Sequence, residues 1–511
     1  MALLLSPAKL VLLAVHCAVN GDIDSLTTLA ARHGAILRKD LLLRILLTYL
    51  PETLPSSQYV DFIQQLETAS FPDTASHEFD CTPVEPLAED DAAKKVRKLR
   101  LLPLASAEAP EEITDDPVTL FLLRRAYKVD EDAGLLDELP ALLLPFLHHS
   151  PCIRALLIST ILPLLRRNCE YYPHEPISYT LQGFRQLPDR VAVNLLLSQT
   201  GAREADLPLV GRDLRGLVSP WLCEERRWKH GKHRTDSTGD PSCEATENLC
   251  PGWDEVLRWL TTQASKNWKV AVSAVQQWDG ARDADLGGWG TPDQIASHLD
   301  YLRESYLRAA LASAYLIPDA SFEALDGAYS ILAKVAELDG LEPISPLASE
   351  LAVLPPLTEQ ITESIMCAKN VAYMRNDLLA PINPLTTPTE ESAALLQASI
   401  LSAHILTQAG CPCTIRRAGE LALLQEERDQ KAEAAKLIHA LSNNGPKTDD
   451  RFWLKARNEV LWLRDWGTED SWSAEGLPCG VFSQVKKDFL EVEILRALLS
   501  NTRKFASPRI K

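Results

Sequence analysis

The apolar positions of this chain recur at intervals of three and four residues, which is the period of amphipathic helices. The first apolar stretch runs from Lys9 to Asn20, Gly21 interrupts it, and Asp22 opens a second stretch that reaches Arg32. Glycine supplies the positive φ that ends a helix, and an aspartate side chain accepts hydrogen bonds from the free amides that begin the next one. The pattern predicts a tight helical hairpin, the unit from which α-solenoids are built.

The helical pattern continues along the chain, and the alternation of apolar and polar residues that is typical of strands is rare. There is no repeat of fixed length. The predicted fold is therefore all-α, an irregular α–α solenoid of stacked helical hairpins. Helices are predicted at residues 41–50, 59–67, 92–102, 118–129, 135–148, 151–167, 188–197, 253–278 as a pair broken near 265, 293–317, 322–338, 357–379, 390–408, 416–441, 451–466 and 482–501.

Polar stretches divide the chain into two predicted helical segments. Residues 1–222 form an N-terminal helical solenoid segment with acidic, proline-bearing linkers near 71–91 and 103–117. Residues 223–252 combine a basic run with glycine, serine and aspartate, and they are expected to form a flexible loop. Residues 253–511 form the C-terminal helical solenoid segment.

Two apolar stretches resemble membrane signals. Residues 10–21 are short and end in the hairpin turn, so we interpret them as a helix of the fold and not as a signal peptide. Residues 392–415 carry no charge over a length that would cross a bilayer. They include Gln397, Ser402 and His404, and their apolar residues recur at helical spacing, which predicts a buried amphipathic helix.

The formal net charge of −18 argues against general nucleic-acid binding, which needs a concentrated basic surface. It also opposes adsorption to anionic lipid, so any membrane attachment is expected to run through protein partners. One run departs from this average. The helix predicted at residues 92–102 carries five basic residues, which are Lys94, Lys95, Arg97, Lys98 and Arg100. We interpret them as a solvated face against acidic neighbours, and the alternative is a site for a partner or for lipid.

The chain has 11 cysteines, an odd number without a dense framework, which is typical of buried thiols in a reducing compartment. A zinc site could be assembled on one stretch, but zinc knuckles need close cysteine pairs and this stretch has none. We therefore expect a free loop instead of a metal site at the residues concerned, which are Cys223, His230, His233, Cys243 and Cys250.

The search for catalytic motifs is negative: the sequence has no phosphate loop, no His-Glu-x-x-His and no Gly-x-Ser-x-Gly. No catalytic, cofactor-binding or metal-binding residue is predicted, and the chain is expected not to be an enzyme. Asp279, Asp283 and Asp285 lack the spacing of a calcium loop.

Three further groups of residues are interpreted structurally. Cys411 and Cys413 are expected at a helix break and not in a redox centre, and the imidazoles of His148 and His149 are expected to meet terminal carbonyls of a helix. The dense tryptophans are expected to lock adjacent hairpins together, with an exposed set of partner anchors as the alternative; they are Trp221, Trp228, Trp253, Trp259, Trp268, Trp278 and Trp289.

Several runs resemble the fungal secretory-pathway Sec39 domain family, and the resemblance extends roughly from residue 7 to residue 502. The runs that carry it are Gly21-Asp-Ile-Asp-Ser-Leu26, residues 37–52, Gly252-Trp-Asp-Glu-Val-Leu-Arg-Trp-Leu260, Asn267-Trp-Lys269 and residues 489–499. Many members of that family continue with further helices, whereas here the sequence ends at residue 511 after one more apolar helix, so we expect a truncated product or gene model.

The resemblance implies an elongated, all-helical rod in the Dsl vesicle-tethering complex, related to the animal neuroblastoma-amplified sequence protein. Such a subunit lies on the cytoplasmic face of the endoplasmic reticulum as a peripheral protein. It links SNAREs of the reticulum to a partner that binds coat-protein-I vesicles in Golgi-to-ER retrograde transport, and it carries no enzymatic residues. The alternative is a general α-solenoid adaptor in another membrane-trafficking or quality-control assembly.

Overall fold

The structure is a computed structural model that describes residues 5–71, 80–105, 116–228, 249–290, 296–446, 449–467 and 479–503. These residues form helices, turns and loops, with no strand among them. The all-α prediction is confirmed. The chain divides into two compact units, and the loop predicted at 223–252 lies outside the described residues over positions 229–248. Unit 1 comprises Met1–Leu196, Gly216–Lys232 and Ala284–Ile295, and unit 2 comprises Leu197–Arg215, His233–Asp283 and Ala296–Lys511.

The α-helices follow the chain in order. The first thirteen are α1 Pro7–Asn20, α2 Ile23–His33, α3 Lys39–Tyr49, α4 Val60–Thr68, α5 Glu89–Lys98, α6 Pro117–Ala133, α7 Leu139–Leu143, α8 Pro151–Leu156, α9 Leu162–Leu165, α10 Leu181–Arg185, α11 Asp189–Leu196, α12 Val210–Asp213 and α13 Ser219–Trp221. The others are α14 Pro251–Lys266, α15 Trp268–Gln277, α16 Leu299–Leu316, α17 Phe322–Asp339, α18 Leu347–Ala352, α19 Asn370–Asn376, α20 Glu390–Gln408, α21 Ile415–Leu424, α22 Glu427–Asn444, α23 Asp450–Asp465 and α24 Lys487–Arg503.

Short helical segments of other types complete the secondary structure. The 3₁₀ segments are Ser56–Gln58, Leu136–Glu138, Leu144–Phe146, Glu204–Leu209 and Glu225–Arg227. The π segments are Leu157–Ile161, Arg166–Tyr171 and Leu214–Val218.

The opening hairpin forms as the sequence predicts. The Ser6 hydroxyl accepts a hydrogen bond from the Lys9 amide and caps α1, which ends at Gly21 with φ +67°. Asp22 then caps α2, since its carboxylate accepts from the Ser25 amide at 3.1 Å. A side chain at position 21 would also approach Leu54 to 3.3 Å, so glycine serves both the turn and the packing.

Within unit 1, helices that follow one another in the chain pack as neighbours. Helix α1 packs against α2, α3 and α5, α3 packs against α6, and α6 packs against α7, α8 and α10. The contacts are apolar: Leu10, Ile45 and Phe121 are almost completely buried. Each hairpin thus hides its apolar face on the next, as an irregular solenoid requires.

Unit 2 repeats this arrangement with longer helices. Helix α14 packs against α15 and α16, α17 against α15, α16 and α20, and α20 against α21, while α24 packs against α22 and α23. Burial of these apolar faces stabilises each unit by roughly 25 cal/mol per Å² removed from water. The prediction of an irregular α–α solenoid is confirmed in the packing of successive helices within each unit.

Helix α20 shows why the uncharged stretch at 392–415 is not a membrane segment. Every residue from 392 to 406 except His404 is buried, so the helix is covered nearly all round. The prediction of a buried helix is confirmed, but the prediction of a single apolar face is wrong. Its serines are satisfied inside the protein: Ser402 Oγ accepts from Trp466 Nε1 at 3.0 Å. Among the described helices, none has the length and apolar content needed to cross a membrane.

Several predicted helices differ in extent from the observed ones, and two differ most. Residues 357–379 contain only the short helix α19, because the Asn370 side-chain amide donates to the Ser364 and Ile365 carbonyls and holds a turn there. The helix predicted at 416–441 is two helices, α21 and α22, separated at Gln425, which has φ +53°.

Candidate functional site

The candidate zinc ligands do not form a metal site in the described part of the chain. No group of three or more His, Cys, Asp or Glu side chains with suitable geometry occurs there. Cys223 and Cys250 are buried, and burial raises the pKa of Cys223 to about 12, which disfavours the thiolate that binds zinc. His230, His233 and Cys243 lie outside the described residues.

The three aspartates that resemble part of a calcium loop are engaged elsewhere. Asp279, Asp283 and Asp285 each meet a different basic side chain, at 2.9, 2.7 and 2.8 Å, from Lys334, Arg215 and Arg166 respectively. Because each carboxylate is paired with its own cation, the three do not converge on one ion.

The Cys411–Cys413 pair has the chemistry of structural thiols. Burial, with the nearby Glu433 carboxylate, raises the pKa of Cys413 to about 12, and burial also raises the pKa of Cys411. Reactive thiols need a lowered pKa, so these two residues agree with the predicted helix break between α20 and α21.

His149 lies between two carboxylates. Its Nδ1 is 2.5 Å from Glu67 Oε1 at the end of α4, and its Nε2 is 2.8 Å from Asp116 Oδ2 at the start of α6. Burial opposes a charge on this imidazole, but the two carboxylates outweigh it and raise the pKa of His149 above its usual value. The expectation that this ring meets helix carbonyls is wrong, because the ends of two other helices converge on it.

A second ionic network lies inside unit 1 around Glu224. This buried carboxylate accepts from the Ser159 hydroxyl at 2.9 Å and pairs with Arg185 at 3.2 Å and Arg227 at 3.4 Å. Burial alone would raise the pKa of Glu224, but Arg227 and Arg185 outweigh it and lower it. The Arg227 guanidinium also lies over the Trp221 ring at 3.8 Å. The buried Glu224 carboxylate therefore has arginine partners inside unit 1.

The dense tryptophans belong mainly to the core. Trp221, Trp228, Trp253 and Trp278 are buried. In unit 2, Trp253 and Trp278 meet edge to face at 6.1 Å, and the Trp253 indole donates to Ser305 Oγ at 2.8 Å. These contacts join α14, the end of α15 and α16, so the prediction that tryptophans lock hairpins is confirmed here. The recess beside these rings is lined by apolar side chains: Leu214, Val256, Leu257, Leu260 and Ala274, with Trp259, Trp278 and Tyr306.

Two surfaces in the described part of the chain are candidates for binding other molecules. The first is the α5 basic face, which we define as Lys95, Arg97, Lys98 and Arg100. All four side chains are exposed, and Ala92 is the buried residue of α5. Within the described residues, the nearby ion pair is that of Lys94 with Asp91 at 3.3 Å. The basic run is therefore solvated as predicted. Three acidic residues, Glu89, Asp90 and Asp91, lie in the first turn of the same helix, but in the described part of the chain none of the four side chains of the α5 basic face forms an ion pair with them.

The second surface is an apolar face on α24. Leu490, Ile494 and Ala497 turn inward and are buried, whereas four further apolar side chains are 38% to 56% exposed: Phe489, Val492, Leu495 and Leu499. Exposed apolar faces of this kind are typical of surfaces that another molecule covers. A sequence signal for this face exists, since apolar residues occupy more than one face of the helix.

The chain is similar over most of its length to one known protein family. No curated protein sequence matches it significantly. The model of one protein family, described as secretory pathway protein Sec39, matches residues 11–507, which is nearly the whole chain. The match covers both units and includes the runs around Gly21, Gly252 and Phe489. The chain belongs to the Sec39 family of secretory pathway proteins.

Proposed function

We propose that this chain is a non-enzymatic subunit of a vesicle-tethering complex at the endoplasmic reticulum. In this role it links SNAREs of the reticulum to a partner that binds coat-protein-I vesicles in Golgi-to-ER retrograde transport. It lies on the cytoplasmic face of the membrane and is held there by its protein partners. The observation that carries the proposal is the family match across residues 11–507, together with the resemblance of that family to the Dsl tethering subunits.

The described surfaces support action by binding. Packed helical hairpins hide their apolar faces on one another and leave their outer faces for partners. Two outer faces have distinct chemistry, one basic on α5 and one apolar on α24. Different chemistry at separate surfaces suits a protein that engages more than one partner.

The proposal is tested by reconstitution. The purified full chain is mixed with recombinant Dsl-type tethering subunits, and separately with the cytosolic domains of endoplasmic-reticulum SNAREs, and each mixture is analysed by size-exclusion chromatography. We expect a stable complex in both mixtures. SNAREs of the plasma membrane serve as the control. Elution of the chain alone in both mixtures contradicts the proposal, and equal binding to the control SNAREs favours a general adaptor.

A further inference from the structure

The α5 basic face sits on a backbone that the rest of unit 1 holds in place. Before α5, Lys9 Nζ donates to the Glu85 carbonyl at 3.2 Å. After it, the Arg44 guanidinium donates to the Leu101 and Leu102 carbonyls, each at 3.1 Å, and Thr48 Oγ1 accepts from the Leu102 amide at 2.9 Å. The basic residues are therefore presented from a fixed segment, which lowers the conformational entropy that this segment loses when a partner binds.

The charges on this face are not matched by carboxylates in the described part of the protein. None of Lys95, Arg97, Lys98 and Arg100 makes an ion pair with a described residue, whereas other basic side chains of unit 1 do, including Arg125 and Lys128 with Glu52. Arg44 and Arg124 add to the positive field near the end of α5, because their guanidinium groups donate to the Leu102 and Pro103 carbonyls just after that helix. This concentration is unusual in a chain of net charge −18.

A purely structural role explains only part of this arrangement. Lys95, Arg97 and Lys98 lie in the last turn of α5, where cations interact favourably with the helix dipole. Arg100 lies beyond the end of the helix, where that effect has faded, and it is exposed as well. Mutual repulsion of adjacent cations opposes the arrangement, and a negatively charged partner would relieve it.

The chemistry of the surroundings favours a protein partner over a membrane. Strong binding at a lipid surface combines basic side chains with exposed apolar side chains that enter the headgroup region, but Leu99, Leu101 and Leu102 are half-buried against the protein. We propose that the α5 basic face docks an acidic segment of a partner protein, whose carboxylates pair with Lys95, Arg97, Lys98 and Arg100. This inference rests on the proposed function only in that the chain acts by binding proteins.

The first step of the test identifies what contacts the face. A photo-crosslinking amino acid replaces Lys95 in the full chain, and in a control chain it replaces Arg190, another exposed residue of unit 1. Both chains are expressed in the native organism, and crosslinked peptides are sequenced by mass spectrometry. We expect position 95, but not position 190, to capture a peptide rich in aspartate and glutamate. The inference is overturned if position 95 captures no protein, or if the peptide that it captures has no net negative charge.

The second step measures the role of charge. The captured peptide is synthesised, and its binding to the full chain is measured by fluorescence anisotropy at several salt concentrations. The variant K95Q/R97Q/K98Q/R100Q is expected to bind on the order of tenfold or more weakly, with a smaller salt dependence. The control K266Q/R282Q/K369Q/R428Q removes as many exposed positive charges from unit 2 and should bind as the wild type does. Equal losses in both variants overturn the inference.

Two further measurements separate the alternatives. Circular dichroism should show the same helix content in both quadruple variants, since the exposed side chains make no ion pairs with described residues. Flotation with phosphatidylserine-containing vesicles that the α5 variant alone loses would assign the face to a membrane and overturn the inference. If an acidic peptide is captured but the chain elutes alone from both the tethering-subunit and the SNARE mixtures, the proposed function fails while the docking face stands. If the chain forms complexes in those mixtures but position 95 captures no acidic peptide, the docking face fails while the proposed function stands.

Discussion

His149 Nε2 lies 2.8 Å from Asp116 Oδ2, and the same Asp116 oxygen accepts hydrogen bonds from the amide and hydroxyl of Thr119 at 2.8 Å each. One carboxylate therefore caps helix α6 and anchors the imidazole that also meets Glu67 at the end of α4. The contact joins three parts of unit 1 through charge, and it makes the stability of that unit sensitive to pH.

The sign of this pH dependence follows from the direction of each shift. The pKa of His149 is higher in the folded state than in the unfolded state, where it is about 6.5. The stability that His149 contributes is therefore fully present below about pH 6.5, and it is lost as the pH rises through the pKa of the folded state. At Asp116, burial alone would raise the pKa of the carboxyl, but hydrogen bonds with His149 and Thr119 outweigh burial and lower the pKa. Its contribution is therefore present above about pH 4 and lost as the pH falls further.

The substitution His149→Gln tests this relationship. We expect a loss of about 1 kcal/mol in the free energy of unfolding at pH 6 and a smaller loss at pH 8, because the charged imidazole is the stabilising form. Urea unfolding at the two pH values measures it. His148→Gln is the control, since His148 is the exposed neighbour, and it should leave the pH profile unchanged. An equal loss at both pH values contradicts the account.

The Glu224 network should be far more sensitive to a neutral replacement than an exposed ion pair. Glu224→Gln keeps the size of the side chain but leaves Arg185 and Arg227 without their carboxylate, so we expect a cost of about 3 kcal/mol. Arg496→Gln removes an exposed pair with Glu493 and should change the free energy of unfolding by less than about 0.5 kcal/mol. Chemical denaturation measures the free energy of unfolding of both variants. Similar losses in the two would show that the Glu224 network does not stabilise the fold more than an exposed ion pair does.

Two buried serines on α20 offer a matched comparison. Ser402 Oγ accepts from the Trp466 indole, whereas Ser399 Oγ donates to the Leu395 carbonyl within its own helix. Ser402→Ala leaves the buried indole N–H without a partner and should cost about 1–2 kcal/mol. Ser399→Ala removes a hydroxyl whose acceptor remains engaged in the helix, so it should cost less. The thermal midpoints of the two variants measure the difference, and a greater loss for Ser399→Ala would refute the assignment.

Gly480 is required by its backbone conformation and by close packing. It has φ +125°, and a Cβ there would lie 2.3 Å from the Arg464 carbonyl oxygen. Gly480→Ala should cost more than about 2 kcal/mol, because strain and collision act together. Gly340→Ala is the control, since Gly340 has φ +71° but no atom within 4 Å of the added carbon, and it should cost only about 1 kcal/mol. Equal thermal shifts for the two variants would argue against the close contact.

Helix ends that depend on neighbouring residues could be predicted from the sequence, whereas contacts between distant residues could not. Gly21 and Asp22 act on the residues beside them, so the opening hairpin could be predicted. The loop after Leu357 could not, because the Leu357 amide bonds to the carbonyl of Trp466, which is distant in the chain. The carboxylates around His149 also come from separate helices. Local capping and periodicity are visible in one sequence, whereas long-range pairing is not.

The surfaces show the same division. The positive charge of the α5 basic face was evident from Lys95, Arg97 and Lys98, but whether acidic neighbours neutralise it depended on packing. On α24 the apolar residues were evident, whereas the exposure of Val492 and Leu495 required the positions of α22 and α23. The chemistry of a surface residue can be predicted from sequence, and its partners within the fold cannot.

Affinity purification of the tagged full chain from its native organism, followed by mass spectrometry, tests the proposed tethering function most directly. The account predicts enrichment of Dsl-type tethering subunits and endoplasmic-reticulum SNAREs over an untagged control, with coat-protein-I components recovered through them. Enrichment of a different trafficking or quality-control assembly, with neither the tethering subunits nor those SNAREs present, would contradict it.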